Sequence, residues 1–190
     1  MYEFVLFLHL VTLAAAFLAM GVMLNCVMRL RAATDVSSAR ATCAALAGIE
    51  KVMPAATVLL LVTGGYLTHA RWTWTTPWID VAIAGLIAVT IFGGGVLGGR
   101  ARSLQRALTE ARSGGVDAAT ARLLADPLFV VGNVANIGLV VAVMFVMVVK
   151  PALAGGIVAL VVGAACGAFA GAAAIRPRAA VPTAAQRAEA

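Results

Sequence analysis

Five apolar runs, at residues 4–27, 52–69, 79–98, 128–149 and 152–175, are separated by short stretches that hold nearly all the charge of the chain. Each run is close to the roughly 20 residues that a helix needs to cross about 30 Å of hydrocarbon. The pattern predicts an all-α polytopic membrane bundle of five transmembrane helices. A single domain over residues 1–175 uses nearly all of the length, and residues 176–190, with two prolines and little to bury, are expected to form a disordered cytoplasmic tail.

Charge then sets the orientation. Arg29, Arg31, Arg40, Lys51, Arg100, Arg102, Arg106, Arg112, Arg122, Arg176, Arg178 and Arg187 fall on one side of the five runs, and only Arg71 and Lys150 on the other. Basic residues are retained in cytoplasmic loops, so the expected topology is N-out and C-in across the cell (inner) membrane. The first run lacks a basic segment before it and is followed by Arg29 and Arg31, so it is expected to remain as an anchor and not to be removed as a signal peptide. Trp72, Trp74 and Trp78 cluster in the outer loop, where an amphipathic ring is best accommodated.

Composition agrees with a membrane class. Hydrophobic residues make up 63% and charged residues 12%, against about 45–50% and about 25% in soluble domains. A net charge of +6 on loops that flank apolar helices points to the anionic inner leaflet and not to nucleic acid. Three cysteines, with none on the outer side, make a disulfide framework unexpected.

The connections are short with one exception. Residues 30–47 read as a surface turn, with an interfacial helical turn leading into the second span as the alternative. Residues 99–126 place Leu104, Ala107, Leu108 and Ala111 at helical spacing before Gly114 and Gly115. That stretch is either a cytoplasmic extension of the third span or an amphipathic helix lying on the inner surface, followed by a short helix capped by Asp117. Lys150 and Pro151 form so tight a hinge that spans four and five must be antiparallel neighbours.

Candidate chemistry gathers on the outer side. His9 lies six residues past Glu3, about 9 Å along a helix from its outer end, and His69 closes the second span. Met144 and Met147 precede Lys150 by six and three residues. Imidazole with soft thioether suits haem iron or copper. The expected cofactor ligands are therefore His9, Met147 and His69, and the expected metal ligands His9, His69 and Met144. The plainer alternatives are an interfacial His69 and gap-filling methionines. His9 is the sharper signal, because an ionisable group inside a span is costly and marks function by default.

Thr12 on span one, and Asn133 and Asn136 on span four, fall on stripes expected to face each other and line the pocket; the alternative is that they only hydrogen-bond helices together. Asp80 opens the third span, where it either pairs with Arg71 or His69 or sits among the headgroups. Gly163, Gly167 and Gly171 recur every four residues on span five, a ridge for close helix packing within the bundle or across a homodimer or another membrane partner. Gly93, Gly94, Gly95, Gly98 and Gly99 read as a similar device. The span centres carry no acidic residue, which argues against an ion-coupled transporter.

The segment from Phe4 to Leu10, VMPAATVLLLVTGGYL in span two, TPWID before span three and FVMVVKP at the end of span four resemble a family of small bacterial integral membrane proteins grouped as a domain of unknown function (DUF). That family is similar to the HemJ-type protoporphyrinogen oxidases and the CopD-type copper-resistance membrane proteins. The resemblance covers residues 1–153 and implies bound haem b, with His9 as the ligand counterpart and Met147 opposite. Span three (WIDVAIAGLIAVTIF) and the approach to span four (LLADPLFVVGN) lack the polar residues of the oxidases. The implied role is thus haem or metal binding for electron transfer or redox sensing, not porphyrinogen oxidation. A non-catalytic scaffold or accessory subunit is the alternative, and a small transporter a third.

Overall fold

Residues 1–111 and 116–175 are described by the structure, a computed structural model. The expected tail, Arg112, and the stop at Gly114 and Gly115 lie outside the described residues. Helices follow in the order α1 (Tyr2–Ala32), α2 (Val36–Glu50), α3 (Val52–Arg71), α4 (Pro77–Thr90), a π-helical turn (Ile91–Leu97), α5 (Gly98–Glu110), α6 (Ala118–Leu124), α7 (Pro127–Val149) and α8 (Leu153–Ala174), with no strand among the described residues. Five helical stretches are long and apolar enough to cross a membrane. Four of them extend beyond their sequence runs, as Tyr2–Ala32, Val36–Arg71, Pro77–Glu110 and Ala118–Val149, and the fifth, Leu153–Ala174, matches its run to within a residue at each end.

Two different forces hold the two halves. At the basic end, α2 and α5 project beyond the apolar spans and share one core with the end of α1, α6 and the start of α7: Val27, Leu30, Val36, Leu46, Leu104 and Leu108 are all but fully buried. Each such side chain contributes about 1.5–3 kcal/mol when taken out of water. Residues 30–47 are therefore not a surface turn: α2 is a helix of 15 residues, started by Asp35, whose carboxylate accepts from the Ser38 N–H at 2.8 Å. Likewise α5 continues span three, and its apolar stripe packs on neighbouring helices and not on lipid. Asp117 caps α6 as expected, accepting from the Thr120 N–H at 2.8 Å.

Arginines fasten this basic end by meeting carbonyls left unpaired at helix C-termini. Arg31 donates to Ala125 O at 2.7 Å, and Arg40 donates to Leu108 O at 2.7 Å and to Ala111 O. Asp126 accepts from Arg100 Nε at 2.9 Å with one carboxylate oxygen and from the Leu128 N–H at 2.9 Å with the other, so one side chain both starts α7 and pairs with α5.

Within the apolar half, lipid is as apolar as leucine, and close backbone approach matters more than water exclusion. The small-residue ridge of α8 is used here, inside the bundle. A Cβ on Gly163 would lie 2.6 Å from that of Ala142, and one on Gly171 would lie 2.8 Å from Val131 Cα. Gly167 faces the backbone of Val134 and Ala135 just as closely. Any partner of span five would meet the opposite face, where Val158, Val161, Val162 and Phe169 are exposed. The glycines of span three behave differently: Gly93 faces Asn136, whereas Gly94, Gly95 and Gly99 have open space beside them. They lie in or next to the π-helical turn.

Candidate ligand cavity in the apolar half

Helices α4, α7 and α8 pack together and α1 pairs with α3, and in the apolar half the two groups part around a cavity of about 500 Å³. Its walls are apolar: Leu13 and Met20 from α1, Leu60 from α3, Ala82 and Leu86 from α4, Val143 from α7. His9 is the imidazole in this wall, only 8% exposed.

Its ring is held in a defined way. His9 Nδ1 lies 2.8 Å from Thr63 Oγ1, and that hydroxyl lies 2.6 Å from Leu59 O, four residues back on α3. A hydroxyl has one proton, and Leu59 O can only accept, so Thr63 accepts from His9 and the imidazole proton sits on Nδ1. Nε2 has no hydrogen-bond partner among the described residues. Gly64 completes the seat: a Cβ there would stand 3.4 Å from His9 Cε1, so the missing side chain lets the ring lie against α3. An imidazole whose Nδ1–H is engaged by a second residue and whose Nε2 is left open is the arrangement of a metal-ligating histidine.

Lys150, Trp72 and Trp78 line the cavity at the end away from the basic core. The Lys150 ammonium stands 4.4 Å from the centre of the Trp72 ring and 5.9 Å from that of Trp78, and the two indoles meet edge to face at 5.2 Å. Nearby, Arg71 covers the ring of Tyr2 at 4.5 Å.

Of the residues singled out by sequence, the cavity brings together His9, Met144 and Met147. His69 is exposed and is not on the wall; the neighbouring position, Thr68, faces inward in its place. Thr12, Asn133 and Asn136 are buried but do not line the cavity. Thr12 donates to Leu8 O at 2.8 Å and Asn133 to Phe129 O at 2.7 Å, each bonding back along its own helix. Asn136 packs on Gly93, and its buried Oδ1 has no partner among the described residues. Asp80 is exposed in the first turn of α4, the headgroup alternative.

Thr63, Gly64, Trp78 and Lys150 enter the site without having been singled out for it. Thr63 carried a signal, being a hydroxyl in the middle of an apolar span. Among the described residues there is no group of three or more His, Cys, Asp and Glu that could hold a metal ion. A second cavity, of about 240 Å³ at the basic end, is lined by Arg100 and Asp126, which already pair with each other. Comparison of the chain with models of protein families, with curated proteins and with solved structures gives no match.

Proposed function

We propose that this multi-pass membrane protein holds haem b in this cavity, with His9 as an iron ligand, for electron transfer or redox sensing. One observation carries the reading: an imidazole with Nδ1 engaged by Thr63 and Nε2 open, set in the wall of an apolar cavity of about 500 Å³. That volume lies within the range of roughly 300–1,000 Å³ usual for ligand and cofactor sites.

The residues fit the group. His9 Nε2 would offer the nitrogen donor, the thioether of Met144 or Met147 in the same wall would be a candidate second ligand, and aliphatic side chains suit a macrocycle. Copper is less well served, because a bare ion needs several donors converging within bonding distance and makes no use of a large apolar space. When bound, the haem iron would supply one-electron chemistry. Thr63 sets the ring orientation and tautomer of His9, and the aliphatic walls keep water from the donor atom. No carboxylate lines the cavity, so no acidic general base stands ready for porphyrinogen oxidation, and that activity forms no part of the proposal.

The test is the visible spectrum of the detergent-purified protein, isolated with haem supplied during expression, together with its iron and copper content. A Soret band with stoichiometric iron is expected. A colourless preparation without stoichiometric iron or copper overturns the reading and favours a scaffold or accessory subunit.

A further inference from the structure

At the mouth of the cavity the charge is unbalanced. Among the described residues the one ion pair joins Arg100 to Asp126 at the other end of the bundle, so Lys150 has no carboxylate within 4.0 Å. A lysine that merely reached for the headgroups would extend away from the protein. Lys150 instead holds its ammonium over Trp72 and beside Trp78, and its side chain forms part of the cavity wall.

The backbone reinforces the point. Lys150 is the one residue other than glycine with positive φ among those described, at φ 55° and ψ 53°, and it directly precedes Pro151. An L-residue with a side chain resists that conformation, and a following proline disfavours it further. Glycine or asparagine would sit there with less strain. The chain nevertheless has lysine there, closing α7 through its N–H to Val146 O at 2.9 Å. The third feature is an unused donor: Trp78 lines the same cavity, and its buried Nε1–H has no acceptor among the described residues.

We infer that Lys150, Trp72 and Trp78 form an acid-binding subsite, so that the molecule held in the cavity is an amphipathic carboxylate whose apolar body lies within and whose acid group sits at the mouth. The inference rests on the reading of the cavity as a ligand site; it names the chemistry at one end of that site. Lys150 supplies the charge-assisted hydrogen bond, the indole N–H of Trp78 a second donor, and the Trp72 face keeps the ammonium in place by cation–π attraction. Two sources present the same group at this position, a propionate of haem and the carboxylate of a long-chain fatty acid.

The experiment therefore runs two probe pairs against the full chain in detergent. Haemin and its dimethyl ester are followed by the Soret band. Doxyl-labelled stearic acid and its methyl ester are followed by quenching of tryptophan fluorescence. At least one acid is expected to bind about tenfold more tightly than its ester, the scale of one charge-assisted hydrogen bond at a half-open site. Lys150→Asn, which suits the left-handed backbone, should abolish that preference, whereas Lys150→Arg should keep it. If only the stearate pair discriminates and haemin does not bind, the haem reading fails and the acid subsite stands. If haemin and its ester bind equally and the stearate pair shows no preference, the subsite is overturned and the haem reading survives. Binding of none of the four probes overturns both, and a Lys150→Asn variant that keeps the preference overturns the subsite.

Discussion

Replacing Thr63 by valine keeps the branched shape of the side chain and removes the one acceptor that meets His9 Nδ1 at 2.8 Å. In a water-soluble core, a donor left buried and unpaired costs about 1–3 kcal/mol. Inside a bilayer the unfolded reference state also finds partners, and measured couplings between helices average about 0.6 kcal/mol and reach about 1.7. The His9 ring is 8% exposed and its contact crosses from α1 to α3, so the upper part of that range applies, about 1–1.5 kcal/mol. Thr63 also donates to Leu59 O at 2.6 Å, and the single variant would mix that loss with the one of interest. A double-mutant cycle of His9→Ala and Thr63→Val removes the common part. Equilibrium unfolding in mixed detergent micelles should give a coupling of about 1 kcal/mol, and Thr63→Ser should retain it. Nitrogen NMR of histidine-labelled protein, with His69→Gln to assign the two rings, should show the proton of His9 on Nδ1. A coupling indistinguishable from zero, or a proton on Nε2, would refute the hydrogen-bond reasoning.

Gly167→Ala should destabilise the bundle by about 1–3 kcal/mol, because the new Cβ would stand 2.8 Å from Ala135 Cα, backbone that cannot swing aside. Gly21→Ala, with nothing within 4 Å, is the neutral control, and equal unfolding midpoints for the two would contradict the α7–α8 contact. Asp126→Ala should cost about 1–2 kcal/mol, since it removes both a helix cap and a half-exposed ion pair, whereas Asp126→Asn should lose only the pair; similar losses in both would mean that the cap contributes nothing. If haem is bound, one of Met144→Leu and Met147→Leu should shift the Soret band and the reduction potential, and a double variant with an unchanged spectrum would exclude a thioether ligand.

The spans were legible because each is a long apolar run, and the basic residues fixed which ends lie together. His9 was legible for a related reason, as an ionisable group inside such a run. The small-residue ridge of α8 was legible from spacing alone, but its partner was not, since Gly163 fits a neighbouring helix of the same chain or of another equally well. Helix rotation was the main thing hidden. Adjacent positions on a helix differ by about 100°, and nothing in the sequence says that Leu13 and not Thr12 faces the cavity, or Thr68 and not His69. Thr12 and Asn133 misled because their polarity is satisfied by carbonyls four residues back on their own helices. The core at the basic end was hidden for another reason. Residues 36–50 are alanine-rich and weakly periodic, and α2 becomes a helix through its Asp35 cap and the apolar face of α5, a contact distant in sequence.

The most direct test is a haemin titration of three detergent-purified proteins side by side: the wild-type chain, His9→Ala and His69→Ala. The account predicts saturation at one haem per chain in the wild type and in His69→Ala, with no saturable Soret band in His9→Ala. Saturable binding that survives in His9→Ala, or that is lost in His69→Ala alone, would contradict it.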